Sequence, residues 1–118
     1  EPRQELTKED EAMPKIVLHG KYSPEAWSGV AAEGASSREA SVRAMFESLG
    51  ASLEAMYMLP GANWDFMMIV DNASAEVMAN LKKLVGPTGS VVEQNASVIM
   101  TTEEFDAGSG GTYRAPGQ

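Results

Sequence analysis

Two runs of consecutive apolar residues, at positions 16–18 and 66–70, constrain the fold most strongly. A strand that is apolar at every position is covered on both faces and therefore lies in the middle of a sheet. Two other segments, 52–59 and 90–100, alternate polar and apolar residues, which is typical of edge strands. The sequence therefore predicts a four-stranded sheet with two central and two edge strands.

A helical pattern follows the first strand. Ser23 before Pro24 predicts the start of a helix, Ser36 and Glu39 have the spacing of a capping box, and Gly50 follows the last apolar position. The apolar stripe of this segment consists of Val42, Met45, Phe46 and Leu49. This spacing predicts one long helix that packs on the sheet, with its first half loosened by Gly29 and Gly34.

A second helix is expected to begin near Asn72 or Ser74 and to stop at Gly86 and Pro87. Its apolar stripe consists of Val77, Met78, Leu81, Leu84 and Val85. The order of elements is therefore β-α-β-β-α-β. This order predicts an α+β, ferredoxin-like fold with a four-stranded antiparallel sheet.

One face of this sheet is expected to meet the helices, and the sequence contains no further layer to cover the other. In the second strand, the alternation assigns Leu53, Ala55, Tyr57 and Leu59 to the helix side. The uncovered face is expected to carry Glu54, Met56, Met58, Glu93 and Asn95. Because this face is half apolar, we predict that it packs on the same face of a second copy in a homodimer.

The composition argues against several classes of protein. A net charge of -8 without a basic cluster argues against binding to nucleic acid or to an anionic membrane surface. The chain has no cysteine and one histidine, so neither a metal nor a cofactor is predicted. No apolar run is long enough to span a bilayer, and no signal-peptide pattern is visible, so a cytoplasmic protein is expected.

One domain is expected over residues 13–106 of the 118-residue chain. Residues 1–12 are acidic and form a native extension, a processing remnant or an added sequence, and residues 107–118 form a Gly-rich tail. If the two tails mediate a larger protein assembly, Leu6 and Tyr113 are their expected apolar contacts with the partner.

Three segments, LHGKYSPE, MYMLPGANWDFMMIVD and TTEEF, resemble the GYD-domain family. The resemblance covers about residues 13–106, and the stretch from Gly61 to Asp65 is similar to the family's Gly-x-Tyr-Asp motif, with one extra residue and Trp64 in place of tyrosine. It implies a dimeric α/β barrel, in which two sheets pack face to face across a two-fold axis. Relatives in that superfamily include cofactor-free oxygenases, isomerases, haem-degrading enzymes and stress-response proteins, so the resemblance implies no single activity.

His19 is the only histidine and the first candidate site residue. In the predicted strand order it could face Glu93 or Asn95, where it would be either a base near neutral pH or a hydrogen-bonded interface residue. Trp64 is expected to cover the end of the sheet and could instead contact a ligand, and Asp65 is expected to cap turn amides.

Two functions are compatible with these features. The first is a non-catalytic, homo-oligomeric binding or assembly subunit. The second is a small cofactor-free oxygenase or isomerase that acts on an aromatic or quinone-like substrate in an apolar pocket, with His19, Trp64 and Asn95 as polar contacts. The eight methionines permit an adaptable apolar cavity. A small molecule in a pocket beneath the helices would favour the second function, and a filled core would favour the first.

Overall fold

A computed structural model describes residues 14–61 and 63–118. Its strands are β1 (Lys15–Tyr22), β2 (Ser52–Met58), β3 (Phe66–Asp71) and β4 (Val91–Ile99). Its helices are α1 (Pro24–Glu33), α2 (Ala35–Ser48), α3 (Ala75–Val85) and α4 (Thr102–Ala107), with a 3-10 turn at Gly86–Thr88. The sheet is antiparallel with strand order β2-β3-β1-β4, so the predicted ferredoxin-like fold is confirmed. Within the described part of the chain, no helix has both the length and the apolarity needed to cross a membrane.

The core lies between the sheet and the helices, on what we call the helix face of the sheet. The two central strands bury Ile16, Leu18, Phe66, Met68 and Val70 on this face. The helices contribute Val42, Phe46, Val77 and Leu81. Each large apolar side chain buried in this way stabilises the fold by about 1.5–3 kcal/mol. Most of these side chains come from the two central strands and the two predicted helical stripes.

Gly34 divides the first helical segment into α1 and α2. Its φ of 94° is a conformation open mainly to glycine. Its N–H donates to the carbonyl of Val30 (2.8 Å), and its own carbonyl accepts the first hydrogen bond of α2 from the N–H of Arg38 (3.1 Å). The predicted capping box of Ser36 and Glu39 is wrong, because Gly34 is the N-cap residue and α2 begins without a side-chain cap.

A β-bulge in β2 exchanges the two faces of this strand after Leu53. The register passes from Leu53 directly to Ala55, which leaves Glu54 as the extra residue. Met56 and Met58 therefore lie on the helix face and pack against the core. The prediction that these two methionines lie on the uncovered face is wrong, because a shift of one residue turns every later side chain to the other side.

The opposite face of the sheet, which we call the outer face, is only partly buried. At its centre, Val17 and His19 of β1 lie opposite Ile69 and Met67 of β3, and all four are half-buried. Tyr57 of β2 joins this face because of the bulge and is 58% exposed. The outer face thus presents accessible apolar side chains at its centre.

Candidate functional site

An apolar cleft of about 550 Å³ opens between the helices and the sheet. Its floor is formed by Leu18, Phe66 and Met68 of the central strands. Its walls include Val30, Val42 and Phe46 from α1 and α2 on one side, and Leu81, Leu84 and Val85 from α3 on the other. A cavity of this size and composition is within the range of small-molecule sites.

Leu84 marks the opening of the cleft. It belongs to the predicted apolar stripe of α3, but it is 53% exposed and lines the cleft. The stripe therefore extends beyond the closed core, and its last turn provides an accessible apolar wall.

Tyr22 enters the cleft from the end of β1. A bulge in β4 places Val91 opposite Tyr22, and both side chains pack against the core. The Tyr22 ring lies 4.8 Å from that of Phe66 and edge-on to Trp27 at 5.3 Å, measured between ring centroids. Burial raises the pKa of the Tyr22 phenol, and the positive charge of Arg38 lowers it in part. The hydroxyl therefore stays protonated at neutral pH and can donate a hydrogen bond into the cleft.

Among the described residues that line the cleft, one is basic and one is acidic, Arg38 and Glu33. They lie on either side of the break at Gly34, and the Arg38 guanidinium is 3.5 Å from the Glu33 carboxylate. Their side chains are 38% and 43% exposed, so this ion pair contributes little to stability. Both charges remain accessible from the cleft.

Asp65 ties α1 to the sheet beside the cleft. Its carboxylate accepts hydrogen bonds from the backbone N–H of Tyr22 (2.8 Å) and from the indole N–H of Trp27 (3.2 Å). Its own N–H donates to the carbonyl of Gly20 (2.8 Å). Asp65 thus caps an amide of β1 rather than an amide of the turn, and it links α1 to the end of β1.

The four predicted ligand-contacting residues lie together on the outer face. His19 is opposite Asn95 of β4, and its ring centroid is 5.9 Å from that of Trp64. The Lys21 Nζ is 5.6 Å from the Trp64 ring centroid and 3.4 Å from the Glu93 carboxylate. The sheet separates this cluster from the cleft, so Trp64 does not cover the cleft and His19 does not reach it. A role for this cluster in ligand binding stays a prediction.

The predicted tail contacts are only partly described. Leu6 lies outside the described residues, whereas Tyr113 is 83% exposed. Before it, α4 begins with a capping box in which Thr101 and Glu104 each accept the other's backbone N–H (3.0 and 2.8 Å). Contacts of the tails with a partner stay predictions.

Over residues 14–61 and 63–118, no three His, Asp or Glu side chains come together in a way that could hold a metal ion.

Periodicity alone does not identify the charged groups of the cleft. It assigns apolar helical residues to a stripe, and it gives no position for the polar residues beside that stripe. Gly34 is the signal that could have revealed them, because a helix break brings the residues before and after it to one place. Glu33 and Arg38 are the charged residues nearest to that break in the sequence.

Comparison with known proteins identifies the family. The model of the GYD domain matches residues 16–108, which include nearly all of β1 and every later element of the fold. Neither the curated proteins nor the solved structures give a match. Because the family model covers well over half of the chain, the protein belongs to the GYD domain family.

Proposed function

We propose that the protein is a homodimeric, non-catalytic binding protein that holds a small, mostly apolar molecule in the cleft beneath its helices. The cleft itself carries this proposal, because about 550 Å³ of accessible space lies over the apolar floor of Leu18, Phe66 and Met68. Concave, mostly apolar sites with a few polar groups are typical of small-molecule binding. Each Å² of apolar ligand surface removed from water there contributes about 25 cal/mol.

A small molecule in an open pocket beneath the helices is also what an oxygenase or isomerase would require. The polar groups of the cleft nevertheless support binding rather than such a reaction. General acid–base catalysis requires a group near the substrate that changes its protonation close to the working pH. His19 lies on the other side of the sheet, and Tyr22 has a raised pKa and stays protonated. Arg38 and Glu33 form an ion pair with each other. These groups can orient a ligand, together with the uncharged polar residues of the lining, Thr88, Ser90 and Gln94.

The outer face supports dimerisation through the same face of a second copy. Its centre is formed by Val17, Met67 and Ile69, with the exposed ring of Tyr57 beside them. Charged residues of this face pair with one another within the protomer, so two copies can meet without unpaired charges at the centre. The clefts lie on the opposite side of each sheet, so each protomer keeps its own open site in such a dimer.

Filling the cleft is expected to abolish most of the binding. Ala26 lines the cleft from α1 and is half-buried, so a tryptophan at this position occupies ligand space. We expect the fluorescent apolar probe N-phenyl-1-naphthylamine to bind wild-type protein with a Kd of about 1–100 µM, as its size allows. In Ala26→Trp we expect the affinity to fall by about tenfold or more, which is 1.4 kcal/mol or more of lost binding energy. Probe fluorescence in a titration measures both values.

Ala31→Trp is the matched control. Ala31 lies on the same helix, is exposed and does not line the cleft, so this variant should bind the probe as the wild type does. Equal affinities for wild type, Ala26→Trp and Ala31→Trp would show that the probe binds elsewhere, and the proposed site would be wrong.

A further inference from the structure

We infer that the cleft selects an amphipathic monocarboxylate, whose carboxylate binds Arg38 and whose apolar body lies over the floor of the cleft. This inference rests on the proposed function and adds the chemical class of the ligand. Its basis is the placement of charge around Gly34, in a cavity whose other described lining residues are uncharged.

Arg38 supplies the positive charge at this place in the cleft. It is in the first turn of α2 and lines the cleft. A guanidinium offers several N–H donors in a plane, which matches the two oxygens of a carboxylate.

Glu33 shows that a carboxylate fits beside Arg38. Its carboxylate is 3.5 Å from the guanidinium, and both side chains are more than a third exposed. Such an exposed pair is weak, because each partner is solvated and must lose side-chain freedom to keep the contact. A ligand carboxylate that also buries an apolar body can therefore replace Glu33.

Tyr22 provides a neutral donor in the same region. Tyr22, Glu33 and Arg38 all line the cleft, and the charges of Arg38 and Glu33 both act on the pKa of the Tyr22 phenol. Because the Tyr22 hydroxyl is protonated at neutral pH, it can donate a second hydrogen bond to the carboxylate held by Arg38.

The overall charge of the protein does not decide the class of ligand. A net charge of -8 repels anions at long range, but salt at about 0.15 M screens charges beyond roughly 8 Å. The Arg38–Glu33 pair then dominates the electrostatic potential felt by a ligand in the cleft. An ammonium ligand would have to displace Arg38 from Glu33 and would then lie beside the displaced guanidinium, so the same geometry disfavours amines.

Three ligands with the same alkyl chain but different head groups test whether the cleft prefers a carboxylate, a neutral hydroxyl or an ammonium group. Decanoate, decan-1-ol and decylamine are each used to displace N-phenyl-1-naphthylamine at neutral pH and about 0.15 M salt, where screening is strong. Decanoate should bind more tightly than decylamine in the wild type. Arg38→Gln should weaken decanoate by about tenfold and leave decan-1-ol within about twofold, because only the acid loses a charged partner. Glu33→Gln should strengthen decanoate by about threefold, because it removes a weak competitor for Arg38.

Arg43→Gln controls for the change in net charge. Arg43 is on the same helix, pairs with Glu39 at 2.9 Å and does not line the cleft, so decanoate affinity should be unchanged in this variant. Equal weakening of decanoate and decan-1-ol by Arg38→Gln, or tighter binding of decylamine than of decanoate, would overturn the monocarboxylate inference and leave the cleft as a site. If the probe and all three ligands fail to bind wild-type protein, the proposed function fails with it.

Discussion

Replacement of Gly20 by alanine is expected to lower the free energy of unfolding by about 3 kcal/mol, because the core has no room for the added methyl group. Gly20 lies opposite Phe66 in the sheet, and a Cβ at Gly20 would be 2.2 Å from the Cζ atom of that ring. Phe66 is 2% exposed and packs against Tyr22, so it cannot move without disturbing the floor of the cleft. Urea unfolding measures the loss.

Gly29→Ala is the control for this substitution. Gly29 is inside α1, and nothing lies within 4 Å of a Cβ added there, so alanine should stabilise the protein by up to about 1 kcal/mol.

A smaller side chain opposite Gly20 should relieve the clash between the added Cβ and the Phe66 ring. Gly20→Ala is therefore expected to cost less in a Phe66→Leu background than in the wild type. An equal cost in both backgrounds would mean that the ring is not the cause.

Replacement of Ile69 by lysine is expected to convert the proposed dimer into folded monomers. Ile69 is half-buried at the centre of the outer face, opposite Val17. In a two-fold interface each substitution appears twice, so two unpaired ammonium groups would be buried near the axis. Each buried, unpaired charge costs several kcal/mol, so the dissociation constant should rise by about 100-fold or more. Light scattering at micromolar concentration measures the mass, and circular dichroism confirms the fold.

Val98→Lys is the matched control for dimerisation. Val98 is an apolar residue of edge strand β4 and is 62% exposed, but it pairs with Ile16 and so lies on the helix face. This variant should remain dimeric. A monomeric wild type, or a dimer that survives in Ile69→Lys, would show that the outer face is not the interface.

The sequence was sufficient to predict the order of the elements and the composition of the core. The apolar runs 16–18 and 66–70 identify β1 and β3 as central, because central strands are the most deeply covered strands of a sheet. Alternation then places β2 and β4 at the edges, and two helical stripes provide the residues that bury the helix face. These signals extend over many residues, so one irregular position does not remove them.

Irregularities that arise at a single residue, such as a β-bulge, could not be located from these patterns. The bulge at Glu54 turns Met56 and Met58 to the helix face, although strict alternation places them on the other. At Gly34 the sequence indicates a loosened helix, whereas the structure has a full break that replaces one helix by two and moves the start of α2 away from Ser36. Alternation and spacing carry no information on where a bulge or break occurs, because its position depends on contacts with neighbouring elements.

An apolar pocket beneath the helices was one of two alternatives, and its presence and lining could not be predicted for a different reason. Its existence depends on the distance between α1–α2 and α3 across the sheet, and no local pattern in the sequence reports that distance. Tyr22 and Arg38 come from separate elements and meet at the cleft only in three dimensions. His19 and Asn95 were easier to bring together, because they lie opposite each other on two paired strands.

Methionine methyl NMR tests the central claim, that the cleft is the binding site, most directly. Met45 and Met68 line the cleft, whereas Met67 is adjacent in sequence but faces the outer side of the sheet beside His19. N-phenyl-1-naphthylamine is titrated into protein with isotope-labelled methionine methyl groups. The account predicts that the resonances of Met45 and Met68 shift while that of Met67 stays unchanged. A shift at Met67 with no change at Met45 and Met68 would place the ligand on the outer face and contradict the account.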